Sequence, residues 1–375
     1  MDKYVTGIKP INEEAMLAAQ SKLDGLVKPP GSLGELETIA IKLSGISGQM
    51  HYDTTKRCVI VMASDNGVVE EGVSLAPQSV TYVQTMNFTK GITGVNVLAK
   101  QFNADLIVVD VGVNGDTGRP GCMGEQPAKQ TTRPMIRNKK IRNATWNIAK
   151  QAAMTREEAV EAITVGIDTA IEAANDGYKL IGVGEMGIGN TTTSAAVLCA
   201  LSDTLPEQAT GKGAGLNDEA HRHKIKIIQT ALERNKPDQT DPVDVLAKVG
   251  GFDIAAMAGV FIGAAYMRMP VVIDGFISIV AALAAARLNP LVKEYMFASH
   301  ASFEQGYKYA AQILGIKPCL RLNMRLGEGS GCPLMFAIMD AACAIMRDMG
   351  TFEQGNISEK YVEDVKDAGF HIGGL

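Results

Sequence analysis

The chain has 375 residues, which at about 150 residues per domain points to two or three domains. Its 46% hydrophobic and 21% charged content allows a sizeable core and excludes a disordered chain. A balance of 36 Lys+Arg against 41 Asp+Glu, net −5, argues against a protein devoted to nucleic acid or to an anionic membrane surface.

No apolar run approaches the ~18 residues of a spanning helix. The first residues lack the apolar core of a secretory signal, so a cytoplasmic protein is expected. The six cysteines (Cys58, Cys122, Cys199, Cys319, Cys332, Cys343) are scattered and read as reduced thiols. His221 and His223 are two apart on a predicted helix and do not share a face, so no metal pair is expected there.

The first fifty residues read as helices over 11–27 and 36–46, separated by the stiff loop Lys28-Pro29-Pro30-Gly31-Ser32-Leu33-Gly34. A regular alternation follows. Apolar strand-like runs lie at 58–63, 106–113, 180–183 and 271–274, with shorter ones at 297–299 and 320–322. Helical patterns fall between them at 79–88, 95–102, 157–175, 192–201, 218–232, 252–266, 278–288 and 303–314. Continuous apolar strands alternating with helices imply an α/β fold, a three-layer, Rossmann-like parallel sheet covered on both faces. The reading divides the chain into a small helical subdomain over 1–53, joined by C-terminal helices at about 335–375, and an α/β domain over 54–334. Residues 114–140 form a polar excursion at the rim, and the charged tail 349–375 is peripheral.

In such sheets ligands bind where loops leave the carboxyl ends of strands. The strongest local signal is Gly182-Val183-Gly184-Glu185-Met186-Gly187-Ile188-Gly189-Asn190-Thr191-Thr192-Thr193, between a strand and a helix. Glycines allow close backbone approach, and a helix N-terminus offers unpaired N–H groups to an anion. The residues therefore suggest a phosphate site or, more simply, a tight turn capped by threonine. A dinucleotide loop is disfavoured because Glu185 would face the pyrophosphate, and a P-loop because Asn190 stands where its lysine belongs. A single phosphate fits better.

Leu326-Gly327-Glu328-Gly329-Ser330-Gly331 presents one carboxylate among glycines. It reads either as an accessible general base or as a turn that starts a helix. Three more loops stand out. One is Ala63-Ser64-Asp65-Asn66-Gly67, running on to Ala76-Pro77-Gln78 and Gln84. Another is Gly211-Lys212-Gly213-Ala214-Gly215, before a helix with Arg222 and Lys224. The last is Ser299-His300-Ala301-Ser302. Taken singly, each also reads as an ordinary turn, a solvated helix face or a structural histidine. No acidic doublet follows an apolar strand to hold diphosphate-bound magnesium, and no GxSxG elbow is present.

Together and in this order the loops resemble one family, the nicotinate-nucleotide–dimethylbenzimidazole phosphoribosyltransferases of cobamide lower-ligand synthesis. The matching stretches are KPPGSLGELE (28–37), ASDNGVVEEGVS (63–74), GITGVNVLA (91–99), GEMGIGNTTTSAA (184–196), GFDIAAMAG (251–259), PVVIDGFIS (270–278), SHAS (299–302) and MRLGEGSG (324–331). The resemblance implies transfer of phosphoribose from nicotinate mononucleotide to a benzimidazole nitrogen, with inversion at the anomeric carbon. The products would be α-ribazole 5′-phosphate and nicotinate. It implies small-molecule substrates, a homodimer, and neither metal nor cofactor.

Carried onto this chain, the resemblance makes Glu328 the general base and Glu185 a second active-site carboxylate. Gly187, Gly189, Asn190 and Thr191 would cradle the phosphate, with Lys224 and Ser302 near the phosphate and sugar. Gln84, Leu326 and Ala76 would form the acceptor-base pocket. The chain departs from the family at Asn66, where histidine is usual, at Ala76, where a small hydroxyl residue is frequent, and at 303–307, which includes Tyr307. By analogy several of these differences lie near the acceptor pocket. Alternatives are a phenolic or purine acceptor, or a partner subunit of a heteromer, although keeping both Glu185 and Glu328 argues against a dead subunit. A nicotinamide-cofactor oxidoreductase would rest on GxGxxG alone.

Overall fold

The computed structural model describes residues 1–118, 135–211, 215 and 217–358. Its seven strands are β1 Arg57–Ser64, β2 Ala104–Gly112, β3 Ile136–Asn138, β4 Leu180–Met186, β5 Val271–Ile273, β6 Met296–His300 and β7 Pro318–Leu320. They form one sheet in the order β3-β2-β1-β4-β5-β6-β7, with every ladder parallel. This is the α/β architecture expected from the sequence. β1 and β4 are buried along their whole length because helices cover both faces. Helices Phe252–Tyr266 and Phe276–Leu288 are apolar on nearly every side because both run through the interior.

The direction of winding reverses between β1 and β4, where the crevice of an open parallel sheet forms. Met62 pairs with Glu185 at this point. β4 continues to Met186, beyond its apolar run, so Glu185 is a strand residue at the carboxyl edge of the sheet.

Several elements differ from the sequence reading. β3 is a three-residue edge strand, too short to show a pattern. Helix Pro242–Val249 is also short, yet it carries a start signal. The Asp241 carboxylate accepts the Val243 and Asp244 N–H groups, and Pro242 occupies the first turn. The helix expected over 303–314 begins only at Tyr307. The preceding residues are drawn aside, with Phe303 N–H bonded to Met324 O at 2.9 Å and Glu304 N–H to Ser302 Oγ at 3.4 Å.

Helices Glu13–Asp24 and Glu35–Ser47 flank the proline–glycine loop. Lys28 and Glu37 pair at 2.8 Å beneath it, both buried, and Leu33 N–H donates to Glu37 at 2.9 Å. Helix Glu35–Ser47 packs on helix Cys332–Asp348, and Leu26 bridges to Thr351. Of the polar stretch 114–140, residues 119–134 lie outside the described ones, as do 359–375 of the tail. Cys58 and Cys332 are buried and unpaired. Among the described residues no helix is long and apolar enough to cross a membrane.

Candidate active site

Loops leaving β1, β4, β5 and β6 converge with residues 325–327 on a cleft of about 190 Å³. Its lining includes Ala76, Glu185, Gly187, Gly189, Asn190, Thr191, Lys224, Ser302 and Leu326, so the fold gathers residues up to 250 positions apart. Glu328 follows Leu326 and Gly327 in the chain, is 4% exposed and is not part of the lining.

The Glu328 carboxylate accepts Gln84 Nε2 at 2.6 Å and Val95 N–H at 3.2 Å. Val95 is in the first turn of helix Gly94–Gln101, where backbone donors have no partner within the helix. Gln84, on helix Ser79–Lys90, accepts from Asn87 Nδ2 at 3.1 Å, and Asn87 accepts from Lys90 Nζ at 3.1 Å. Residues three apart share a helix face, so this chain fixes which end of the Gln84 amide meets Glu328. Gln84 therefore orients Glu328, and neither residue is part of the cleft lining.

Gly327, Glu328 and Gly329 all take left-handed backbone, with φ of +84°, +63° and +83°. A non-glycine residue there costs roughly 1–2 kcal/mol. Asp274 holds the loop in place, accepting Gly329 N–H at 3.1 Å and Gly331 N–H at 2.7 Å. A methyl group on Gly184 would sit 2.5 Å from both Glu328 O and Gly329 N. The two glycine-rich motifs thus pack backbone against backbone, and this glycine of β4 serves that contact.

Glu185 is 7% exposed. It accepts from Asn190 Nδ2 and from Glu328 N–H at 3.4 Å. Burial pushes its carboxyl up to about 8, aided by the charges of Asp253 and Asp274 and opposed by the Asn190 bond. Burial likewise lifts Asp274 to about 7 and Asp253 to about 6. His300 is buried 4.0 Å from Asp274, with Ser299 Oγ at 3.0 Å, and burial lowers its pKa.

At the other end Lys224, on helix Asp218–Asn235, donates to Thr191 Oγ1 at 2.7 Å. It is 1% exposed, and burial lowers it to about 8 against the pull of Glu304. Thr191 stands in the first turn of helix Asn190–Leu201, where the helix dipole favours an anion.

Two expected cradle residues have other work. Asn190 Nδ2 is committed to Glu185 and, at 3.0 Å, to Asp253, while its backbone N–H bonds Gly187 O at 3.1 Å. A side chain on Gly187 would meet Ser64 O at 2.4 Å and Asp253 Oδ2 at 2.7 Å, so this glycine makes room for packing.

The departures from the family divide as well. Ala76 lines the cleft, whereas Asn66 is buried against Gly187 and Gly251 and Tyr307 is buried away from the lining. Of Asn66, Ala76 and Tyr307, Ala76 alone is in the cleft lining. Lys212, Gly213 and Ala214 lie outside the described residues, and Arg222 is exposed and not part of the lining. His221 and His223 bond separate carbonyls, Thr210 O and Glu71 O. Sequence reasoning gave no role to Asp253 or Asp274. The only signal for Asp274 is an acid ending the apolar run of β5 just before glycine.

A family model described as phosphoribosyltransferase matches residues 8–357. The chain is 52% identical over 372 residues to nicotinate-nucleotide–dimethylbenzimidazole phosphoribosyltransferase of Clostridium perfringens, covering 99% of each. It is 51% identical over 347 residues to the protein of that name from Acetivibrio thermocellus, covering 92% of this chain and 95% of that one. The crystal structure of a nicotinate-nucleotide–dimethylbenzimidazole phosphoribosyltransferase from Thermus thermophilus superposes with a TM-score of 0.84. It is 36% identical, covering 93% of this chain and 99% of that chain.

Proposed function

This chain belongs to the nicotinate-nucleotide–dimethylbenzimidazole phosphoribosyltransferase family, and from that premise we propose that it moves phosphoribose from nicotinate mononucleotide to 5,6-dimethylbenzimidazole. The products are α-ribazole 5′-phosphate and nicotinate. The observation that carries the reading is one cleft lined by a buried cation–hydroxyl pair, Lys224 and Thr191, and by the carboxylate of Glu185, with Glu328 outside the lining but bonded through its N–H to Glu185.

The donor already carries a pyridinium leaving group, so the departing ring needs no acid. The protein has to hold two flat rings on opposite faces of one sugar carbon, and remote phosphate binding supplies that positioning. Lys224, Thr191, Gly189 and Ser302 take the phosphate and sugar. A phosphate beside Lys224 also restores the charge that burial disfavours. Glu328, aimed by Gln84 and the Val95 N–H, removes the azole proton as the ring attacks. Glu185 faces the sugar and, when ionised, stabilises the positive charge developing there. Leu326 and Ala76 offer apolar surface to the acceptor ring. An oxidoreductase reading is disfavoured because Gly184 and Gly187, two glycines of its motif, are occupied by protein packing.

The same reading carries a cytoplasmic homodimer. Leu75, Phe303 and Leu326 are exposed beside the cleft and form apolar surface that a second copy would cover.

The test is turnover by the purified chain with nicotinate mononucleotide, offering dimethylbenzimidazole, adenine, phenol and p-cresol separately. Nicotinate release and product mass are read out. Product with dimethylbenzimidazole is expected. Product with another ring only would overturn the acceptor assignment, and no product with any ring would overturn the transferase reading.

A further inference from the structure

We propose that Asp253 is a positioning residue that acts on Glu185 through Asn190, an inference that rests on the transferase reading above. Asp253 is fully buried in the first turn of helix Phe252–Tyr266 and is absent from the cleft lining. Its Oδ1 accepts Ile254 N–H at 3.0 Å and its Oδ2 accepts Asn190 Nδ2 at 3.0 Å. The same nitrogen donates to Glu185 Oε2. A buried charge is costly unless its hydrogen bonds are made, so a carboxylate kept here needs a use.

Where Glu185 and Asp253 are ionised, charge sets the amide orientation. Turned over, Asn190 would point its oxygen at two carboxylates. Asp253 thus locks Asn190, and Asn190 locks one oxygen of Glu185. The other Glu185 oxygen accepts Glu328 N–H and stays with the loop that carries the base. Two chain segments give way to Asp253. A side chain on Gly251 would lie 2.4 Å from its Oδ1, and one on Gly187 would lie 2.7 Å from its Oδ2.

Glu185 is faced by Asp253 from helix Phe252–Tyr266, by Asp274 after β5, and by Asn190 and the Glu328 N–H. Lys224, Glu304, His300 and Arg325 line the same cleft. The two members of the relay act on Glu185 in opposite senses: the Asp253 charge raises its pKa and the Asn190 bond lowers it.

The experiment is steady-state turnover over a pH series, first for the wild type. Absence of wild-type turnover would overturn the transferase reading itself and is thereby distinguishable. Given turnover, Asp253→Asn and Asn190→Ala each lower kcat roughly tenfold or more, with KM little changed. The limb that reports Glu185 ionisation moves to lower pH in Asp253→Asn and to higher pH in Asn190→Ala. The double variant loses less than the product of the two single losses. A merely structural role for Asp253 would not move the limb in opposite directions. Wild-type kcat and an unmoved limb in Asp253→Asn overturn the proposal, as do shifts of the same sign or multiplicative losses. Should Asp253→Asn not fold, an unmoved limb in Asn190→Ala overturns it by itself.

Discussion

Glu328 accepts hydrogen bonds from Gln84 and from Val95 N–H, whereas Glu185 is buried beside two further carboxylates. Two carboxyl groups in unlike surroundings can take unlike roles. Glu328→Gln keeps the shape and removes the proton acceptor. It should lower kcat by roughly 10²–10⁴-fold, the usual worth of a placed base, and leave the KM for nicotinate mononucleotide near its wild-type value. Steady-state kinetics decides, and equal activity would remove Glu328 from the chemistry. At this scale the sequence was legible where a residue type was unusual for its neighbours, as with a glutamate among glycines. It was silent on Asp253 and on the aiming role of Gln84, which look ordinary on their own helices and matter only through what they touch.

The motif around β4 and the 326–331 loop are two halves of one element. Gly184 leaves room for the left-handed turn at Glu328, and Asp274 pins that turn through two backbone N–H groups. Gly184→Ala would force a methyl group into 2.5 Å contact with backbone atoms, which cannot rotate away as a side chain can. It should cost about 1–3 kcal/mol of stability, typical of overpacking, and reduce kcat further than that loss explains because Glu328 is displaced. Denaturant midpoints and kcat measured together would show it, and a stable, fully active variant would refute the packing argument. The long apolar strands were readable because burial on both faces leaves no polar alternation. β3 and helix Pro242–Val249 were not, since three and eight residues hold too little periodicity.

Among the described residues, burial raises the carboxyls of Glu185 to about 8, Asp274 to about 7 and Asp253 to about 6, and it raises Asp65 as well. Unfolded, such groups titrate at ~4. Between these limits the folded state binds more protons than the unfolded one, so stability falls as pH rises. The contribution is fully present below about pH 4 and lost progressively as pH rises to about 8. Urea unfolding of the free protein should therefore give a lower unfolding free energy at pH 8 than at pH 5, with a smaller difference in Glu185→Gln. Equal differences in both proteins would contradict the burial argument. Under the role proposed for ionised Glu185, activity rises over the same range, so the free protein is least stable where its site is most competent, and a donor that brings its pyridinium nitrogen close to Glu185 relieves that conflict. The sequence by itself determined the parallel layering and the loops that carry chemistry, because burial pattern and glycine placement are local properties of the chain. Only the tertiary structure decided that Asn190 meets two carboxylates, that Gln84 bonds Glu328 and that Asp253 stands behind the loop after β4. Those hydrogen bonds join residues 63 and 244 positions apart. No local period encodes such partners, and they come together only when the sheet closes the carboxyl ends of its strands on one cleft.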